Sequence, residues 1–370
     1  MKVLFINSVC GILSTGRICA DLAEGFRTQG HQVKIGYGRG SLPERCREYG
    51  VKIGSDLGVR LSGVHTRLTD RHGFANRRAT AKFLRWAEEF DPDLLWLHNL
   101  HGYYIDVEQL FQWIKSRPQM QVKWTLHDCW TFTGHCAHFT YARCDRWKTG
   151  CHHCPERKQY PAALRDNSRR NYLAKAETFT GVANMTLITP SRWLADLTRE
   201  SFLREYPVEV CHNTIDETVF RPTDGAFRVQ HGLEGKRLVL AVASAWGERK
   251  GLPDLIRLSE MLPENYAVVV VGLTPKQKES LPSPMVGITR THNATELAHI
   301  YTTCDVFVNP TYEDTYPTVN LEAKACGTPV ITYRTGGSVE SVPEENVVEV
   351  GDFPALRDKI LMLTGGSKDG

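Results

Sequence analysis

Asn309-Pro-Thr-Tyr-Glu-Asp-Thr-Tyr-Pro-Thr-Val-Asn-Leu-Glu-Ala-Lys-Ala-Cys-Gly-Thr-Pro-Val330 joins two short apolar runs, 306–309 and 329–332, through a polar loop and one helix at 319–325. Apolar run, turn, helix, apolar run is the pattern of two parallel strands with a crossover helix. The helix opens near Pro317, and amides at its start, those of Thr315 and Tyr316 among them, are expected to face an anion. Asp314 and Glu322 stand eight residues apart, one in the loop and one in the helix. Carboxylates accept two hydroxyl hydrogen bonds at once, so this spacing suits an extended ligand with hydroxyls at both ends. The plain alternative is a helix-start charge at Asp314 and a solvated Glu322.

The same rhythm runs outward in both directions. Upstream in the same half, strands are expected at 237–243 and 267–271, with helices at 252–261 and 294–303. The first half repeats it, with strands at 3–7, 32–37, 94–98, 122–126 and 186–189 and helices at 16–28, 75–89 and 107–115. Between the halves, 208–222 is turn-prone and ends in Pro222, which reads as a hinge. The expected organisation is therefore a domain at 1–207 with a Cys-rich insert at 129–160, the hinge at 208–222, and a second domain at 223–370. Two doubly wound α/β domains in tandem are expected to leave a cleft between facing sheet ends, the default ligand site. The tail 365–370 is rich in Gly and Ser.

A chain of 370 residues with 41% apolar and 24% charged residues has the composition of an ordinary globular protein and is long enough for two cores. Net charge +3 does not argue for a nucleic-acid partner. From 60 to 85, however, Arg60, Arg67, Arg71, Arg77, Arg78, Lys82 and Arg85 face a single acid, Asp70. That suits a diphosphate or the inner face of a membrane, or is simply a solvated basic face. The start lacks a signal peptide's apolar region, and no run nears the roughly 18 apolar residues of a span, so a cytoplasmic protein is expected.

Further stretches carry candidate chemistry. Ala243-Ser-Ala-Trp-Gly-Glu-Arg-Lys-Gly251 lies at the end of the second domain's first strand, where Arg249 and Lys250 are placed to clamp a diphosphate. Asn7-Ser-Val-Cys-Gly-Ile-Leu-Ser-Thr-Gly-Arg17 is a small-residue loop that lets a phosphate or sugar approach Gly16, or is no more than a tight strand-to-helix turn; it lacks the full dinucleotide spacing. His98-Asn99-Leu-His-Gly102 and Thr125-Leu-His-Asp128 end two strands, with His127 the better candidate for touching a sugar and His98, Asn99 and Asp128 beside it. Cys136, Cys144, Cys151 and Cys154 follow in a C-x7-C-x6-C-x2-C array. The array reads as a structural zinc site or as free buried thiols; a disulfide is disfavoured in a reducing compartment.

Taken together, the Gly16 loop, His127, Asn213-Thr-Ile-Asp216, Arg249-Lys-Gly251 and 313–330 resemble the large retaining glycosyltransferase family 4. Thr125-Leu-His-Asp-Cys-Trp-Thr-Phe-Thr-Gly-His-Cys136 and Tyr312–Glu322 resemble its capsule, O-antigen and colanic-acid branch. The resemblance implies a GT-B fold, two Rossmann-like domains with the donor held mainly by the second. It implies transfer of a hexosyl or N-acetylhexosaminyl group from a UDP- or GDP-sugar to a saccharide or polyprenyl-linked acceptor, with retention and without a catalytic cofactor. Arg249 and Lys250 would hold the diphosphate, Asp314 would lie near the sugar, Glu322 near the ribose and Gly272 by the base. Asp314, Ser244 and Thr214 depart from the family's usual Glu, Arg and Gly. A nucleotide-sugar epimerase and a non-catalytic binding subunit are the rival readings. Relatives often end in a long helix crossing back to the first domain, which is expected to be short or missing here. Arg249→Ala is expected to abolish nucleotide binding with little loss of intrinsic stability.

Overall fold

A computed structural model describes residues 1–365, so most of the Gly/Ser-rich tail lies outside the described residues. The chain divides into two compact units, Met1–His212 and a second beginning at Asn213.

The first unit is a seven-stranded parallel sheet. Its strands are β1 (Lys2–Val9), β2 (Gln32–Arg39), β3 (Gly50–Lys52), β4 (Leu94–Leu97), β5 (Gln121–Thr125), β6 (Met185–Thr189) and β7 (Val208–Val210), in spatial order 3-2-1-4-5-6-7. The helices are α1 (Leu13–Thr28), α2 (Asp56–Thr69), α3 (Arg77–Phe90), α4 (Val107–Lys115), α5 (Ser168–Phe179) and α6 (Arg192–Glu200). Both faces of the sheet are covered. Val3 and Phe5 of β1 pack into one apolar cluster while Leu4 and Ile6 pack into the other, the alternation a doubly covered strand requires. Val208–Val210, inside the stretch read as a hinge, is the sheet's last strand and pairs with Leu187–Thr189.

The second unit repeats the plan with six parallel strands: β8 (Arg237–Val242), β9 (Tyr266–Val271), β10 (Val286–Ile288), β11 (Val306–Asn309), β12 (Val330–Tyr333) and β13 (Val347–Val348). The spatial order 10-9-8-11-12-13 reverses direction between β8 and β11. Its helices are α7 (Phe227–Gln230), α8 (Leu252–Met261), α9 (Pro275–Glu279), α10 (Ala294–Thr303), α11 (Thr318–Ala325) and α12 (Phe353–Gly365). In both sheets the order reverses where the first and fourth strands meet, the place where open α/β sheets bind ligands beyond their carboxyl ends. No helix among the described residues is long and apolar enough to cross a membrane.

Helices α2, α5, α6, α7 and α9 and the edge strands β3, β7, β10 and β13 had no counterpart in the sequence reading. The edge strands have two or three residues each, too short to show a period.

Candidate active site

In the second unit, the loop after β8 and the loop after β11 meet at the switch point. Tyr312 N–H donates to the Arg249 carbonyl at 2.9 Å, tying the two loops together. Gly251 has φ +76°, and a side chain there would meet Pro310 O at 2.3 Å, so only glycine lets the loops approach this closely. On this frame the charges pair crosswise. Arg249 Nη1 lies 2.5 Å from Glu313 Oε1, and Lys250 Nζ lies 2.8 Å from Asp314 Oδ2. Lys250 Nζ also donates to Thr311 Oγ1 at 3.3 Å and to Glu313 O at 3.4 Å. Glu313 is almost fully buried, whereas Asp314 keeps about a fifth of its side chain exposed. The sequence placed the two cations to clamp a diphosphate; the structure also gives each a carboxylate from the facing loop.

At the helix start, the Tyr316 amide already has a partner within the loop. Tyr316 N–H donates to Asp314 Oδ1 at 3.3 Å, so that amide is engaged inside the loop. Pro317 is the residue before the first turn of α11 and Thr315 is buried beside it. Asn213 Nδ2 donates to Tyr316 O at 3.1 Å, bringing the start of the second unit onto this loop. Glu322 is not a solvated helix charge: it is buried on α11, and its Oε2 accepts from Tyr301 O–H at 3.0 Å. Behind the loop, Asn320 of α11 accepts from Asn309 Nδ2 at 2.9 Å and donates to Ser341 Oγ at 2.8 Å, which fixes the helix against the end of β11.

Gly272 ends β9 with φ +97°, and a side chain there would fall 1.7 Å from Ala243 O. The glycine lets the ends of β8 and β9 close on one another, and Trp246 Nε1 donates to Val271 O at 2.8 Å across the same gap. Ser244 is exposed beside it. In the first unit, Gly16 is buried, and a side chain there would meet Val9 Cγ2 at 2.9 Å; packing of α1 on β1 accounts for this glycine.

The histidine strand ends do converge. His98 Nδ1 and His127 Nε2 share a hydrogen bond of 2.9 Å with the rings stacked 5.2 Å apart. Burial pushes His127 down to about 4 and His98 well below the ordinary imidazole value, so both are neutral at pH 7. Asp128 accepts from His101 Nε2 at 2.7 Å, and His101 Nδ1 lies 3.1 Å from the Tyr160 hydroxyl. Burial alone would raise the Asp128 carboxyl, but His101, His138 and the Trp130 amide together outweigh it and hold the group at about 2. Asn99 N–H donates to Asn7 Oδ1 at 3.2 Å, linking the ends of β4 and β1. His101, Tyr160 and Asn7 were not among the site residues expected. His101 carries a signal in its place two residues beyond Asn99; Tyr160 lies in an irregular insert and carries none.

Cys136, Cys144, Cys151 and Cys154 line one small cavity. The Cys136 and Cys154 thiols hydrogen-bond to each other, and Cys151 Sγ accepts from Gly134 N–H at 3.2 Å. Burial raises the Cys151 thiol to about 11. Buried Lys175 of α5 holds the same insert, donating to Trp130 O at 2.6 Å and Thr133 O at 3.0 Å. Thiol chemistry suits zinc, but among the described residues no group of three or more His, Cys, Asp or Glu side chains is placed to hold a metal ion. The spacing left structural zinc and free buried thiols both open; here three of the four sulfurs, those of Cys136, Cys151 and Cys154, take part in hydrogen bonds.

Comparison with solved structures places the fold first. The chain superposes on sucrose-phosphate synthase from Thermosynechococcus elongatus with TM-score 0.70 at 16% identity, covering 99% of this chain and 90% of that one. It superposes on Anabaena HepE in complex with UDP-glucose with TM-score 0.65 at 17% identity, covering 98% and 89%. Two parallel-sheet Rossmann-like units of this kind define the GT-B class. The family follows from sequence. The model described as Glycosyltransferase Family 4 matches residues 15–219, more than half the chain, and the chain belongs to that family. The model described as Glycosyl transferases group 1 matches residues 224–364. Among curated relatives, WcaC of Escherichia coli strain K12, named as a colanic acid biosynthesis glycosyl transferase, is 33% identical over 111 residues, 28% of this chain and 27% of that protein. Staphylococcus aureus CapM, a capsular polysaccharide biosynthesis glycosyltransferase, is 27% identical over 145 residues, 36% of this chain and 38% of that protein. The matched stretches thus span well under half of these relatives' own length.

Proposed function

We propose that the chain transfers a sugar from a nucleoside diphosphate sugar to a saccharide acceptor in surface polysaccharide synthesis, with retention at the anomeric carbon. The observation carrying this reading is the crosswise pairing of Arg249 with Glu313 and Lys250 with Asp314 at the sheet's switch point. Two cations held rigidly by two loops offer fixed positive charge to a diphosphate, which is what departure of that group needs. The bond from the anomeric carbon to the β-phosphate oxygen breaks and a bond to the acceptor oxygen forms. The acceptor's proton passes to the departing phosphate, and Arg249 and Lys250 take up the growing negative charge. Asp314, the more exposed carboxylate, accepts hydroxyls of the sugar; Glu322, held by Tyr301, accepts those of the ribose. Neutral His127, positioned by His98, is the first unit's candidate for a hydrogen bond to a saccharide hydroxyl without bringing a charge.

HepE was crystallised with UDP and with UDP-glucose, and the names of WcaC and CapM point to polysaccharide synthesis; both support the reading. A UDP- or GDP-sugar donor and a polyprenyl-linked acceptor belong to the proposal. Zinc on the four thiols enters it only as a structural element, and metal analysis without a stoichiometric metal removes it. The main test is thermal denaturation with UDP, GDP and their sugars, followed by release of nucleoside diphosphate with and without acceptor saccharide. Acceptor-dependent release supports transfer. Conversion of the sugar without acceptor would make the chain an epimerase, and ligand binding without either would make it a non-catalytic subunit.

A further inference from the structure

At the carboxyl end of β2 the first unit carries a cation that no carboxylate neutralises. Arg39 ends the strand half-buried, and among the described residues no acidic side chain lies within ion-pair distance of it. Arg249 and Lys250, by contrast, each have a carboxylate partner. The Arg39 side chain lies across Gly102, where an added Cβ would sit 3.6 Å from both its Cδ and its Nη1. Gly102 has φ +120° and donates its N–H to His72 Nε2 at 3.1 Å, which fixes the turn beneath the guanidinium. Tyr103, next in that turn, has φ +69°, a strained conformation for a bulky residue. Asn76 Nδ2 holds it there by donating to Tyr103 O at 2.6 Å.

The guanidinium stands at the end of a chain of hydrogen bonds. Asp128 accepts from His101 Nε2, which in the neutral ring leaves Nδ1 to accept from the Tyr160 hydroxyl. The Tyr160 oxygen in turn accepts from Arg39. Asp128, the acid of this cluster, is already held by His101 and by the Trp130 N–H, so it leaves the Arg39 charge uncompensated. Tyr160 comes from the cysteine-rich insert and is 43% exposed. The rings of His72, His101 and Tyr103 meet it at 86°, 66° and 79°, which fixes its plane. A fixed, part-exposed ring beside an arginine offers an apolar face and a fork of donors in one place.

We propose that Arg39 and Tyr160, held in place by His101 and Asp128, form a subsite for a saccharide that carries an oxyanion, either a uronate carboxylate or a sugar phosphate. A half-buried guanidinium without a counter-charge is unfavourable in the empty protein and is stabilised when an oxyanion arrives. The Arg39 fork takes two oxygens of the anionic group, and the C–H face of the sugar ring lies on Tyr160. Naming this saccharide the acceptor rests on the transfer proposed above. The binding itself does not, since no residue assigned to the donor takes part.

The test is NMR titration of the full chain, at constant ionic strength, with methyl β-glucuronide, glucose 6-phosphate, neutral methyl β-glucoside and inorganic phosphate. The parent is expected to bind one of the anionic sugars at least about tenfold more tightly than the neutral one, the factor that a charge-assisted hydrogen bond supplies. Whichever anionic sugar binds more tightly identifies the oxyanion as carboxylate or phosphate. Arg39→Gln is expected to bring that sugar down to the affinity of the neutral one, and Arg39→Lys, which keeps the charge without the fork, to retain part of the preference. Tyr160→Ala is expected to weaken every sugar, the neutral one included. The inference is overturned if the parent shows no preference, if the preference is undiminished in both Arg39 variants, or if Tyr160→Ala binds as the parent does. Inorganic phosphate binding as tightly as the sugars also overturns it, since the site would then serve a free anion. Melting curves with UDP and GDP run alongside: an anionic-sugar preference without any nucleotide response would sink the transfer reading and keep the subsite.

Discussion

Replacing Arg249 with alanine separates binding from stability in a way the sequence did not anticipate. The guanidinium sits 2.5 Å from a carboxylate that is only 5% exposed, while Arg249 itself is 22% exposed. Removing one partner of a buried pair costs about 3–5 kcal/mol, because the other charge stays in a low-dielectric site. Partial exposure of Arg249 screens some of that interaction, so about 2–3 kcal/mol is expected. For a unit of this size that lowers the melting temperature by roughly 5–10 °C. The double variant Arg249→Ala/Glu313→Ala removes both charges and should regain most of the stability. It should not regain the nucleotide-dependent shift, since the diphosphate has lost a cation in both variants. Differential scanning fluorimetry with and without UDP and GDP reads both quantities. A single variant as stable as the parent would refute the buried pair, and a double variant with full nucleotide response would refute Arg249 as a diphosphate ligand.

Lys250→Met breaks a more exposed pair, so its melting temperature should fall by no more than about 1 kcal/mol's worth while the nucleotide response is lost; a large stability loss in the same melt would contradict this. Gly272→Ala should destabilise the second unit by about 1–3 kcal/mol or more, because the added methyl overlaps Ala243 O at a positive φ, and a urea midpoint equal to the parent's would exclude the close strand approach. His127, lowered to about 4, binds a proton more readily when unfolded. Stability should therefore fall as pH drops from about 6.5 towards 4, by roughly 1–3 kcal/mol, and the slope should flatten in His127→Asn; equal slopes in parent and variant would refute burial of a neutral ring. Asp128, held at about 2, contributes stability that is lost only at still lower pH, below about 4, and does not mask that window.

Much of the fold was legible because buried parallel strands announce themselves. Leu94–Leu97 is apolar throughout and Val306–Asn309 is apolar up to its final Asn, both lie between turn residues, and each became a central strand. What escaped detection lacked such a signal. Helix α2 shows a helical period of leucines, but that stripe faces solvent, so a rule that assigns apolar stripes to the core has nothing to pack it against. Strand β7 follows Pro207 in turn-rich sequence, and its edge position needs little apolar character. In the second unit, residue type and loop position singled out Arg249, Lys250 and Asp314, which lie on two loops that meet, and Glu322, which lies on α11 against Tyr301. Which carboxylate meets which cation depends on the register of two loops 64 residues apart in sequence, and periodicity carries no information on that.

That register has a chemical consequence. A cation kept beside a carboxylate is already desolvated and aimed before any ligand arrives, so little reorganisation remains when negative charge develops. The carboxylate also limits how tightly a diphosphate can bind in the ground state, because it competes for the same ammonium or guanidinium. Tight binding of the product would slow turnover, whereas stabilisation that grows as the phosphate departs accelerates it. On the proposed function, Glu313, buried and fixed on Arg249, takes the positioning role, and Asp314, more exposed and shared between Lys250 and the Tyr316 amide, is the carboxylate that would exchange a protein partner for a sugar hydroxyl.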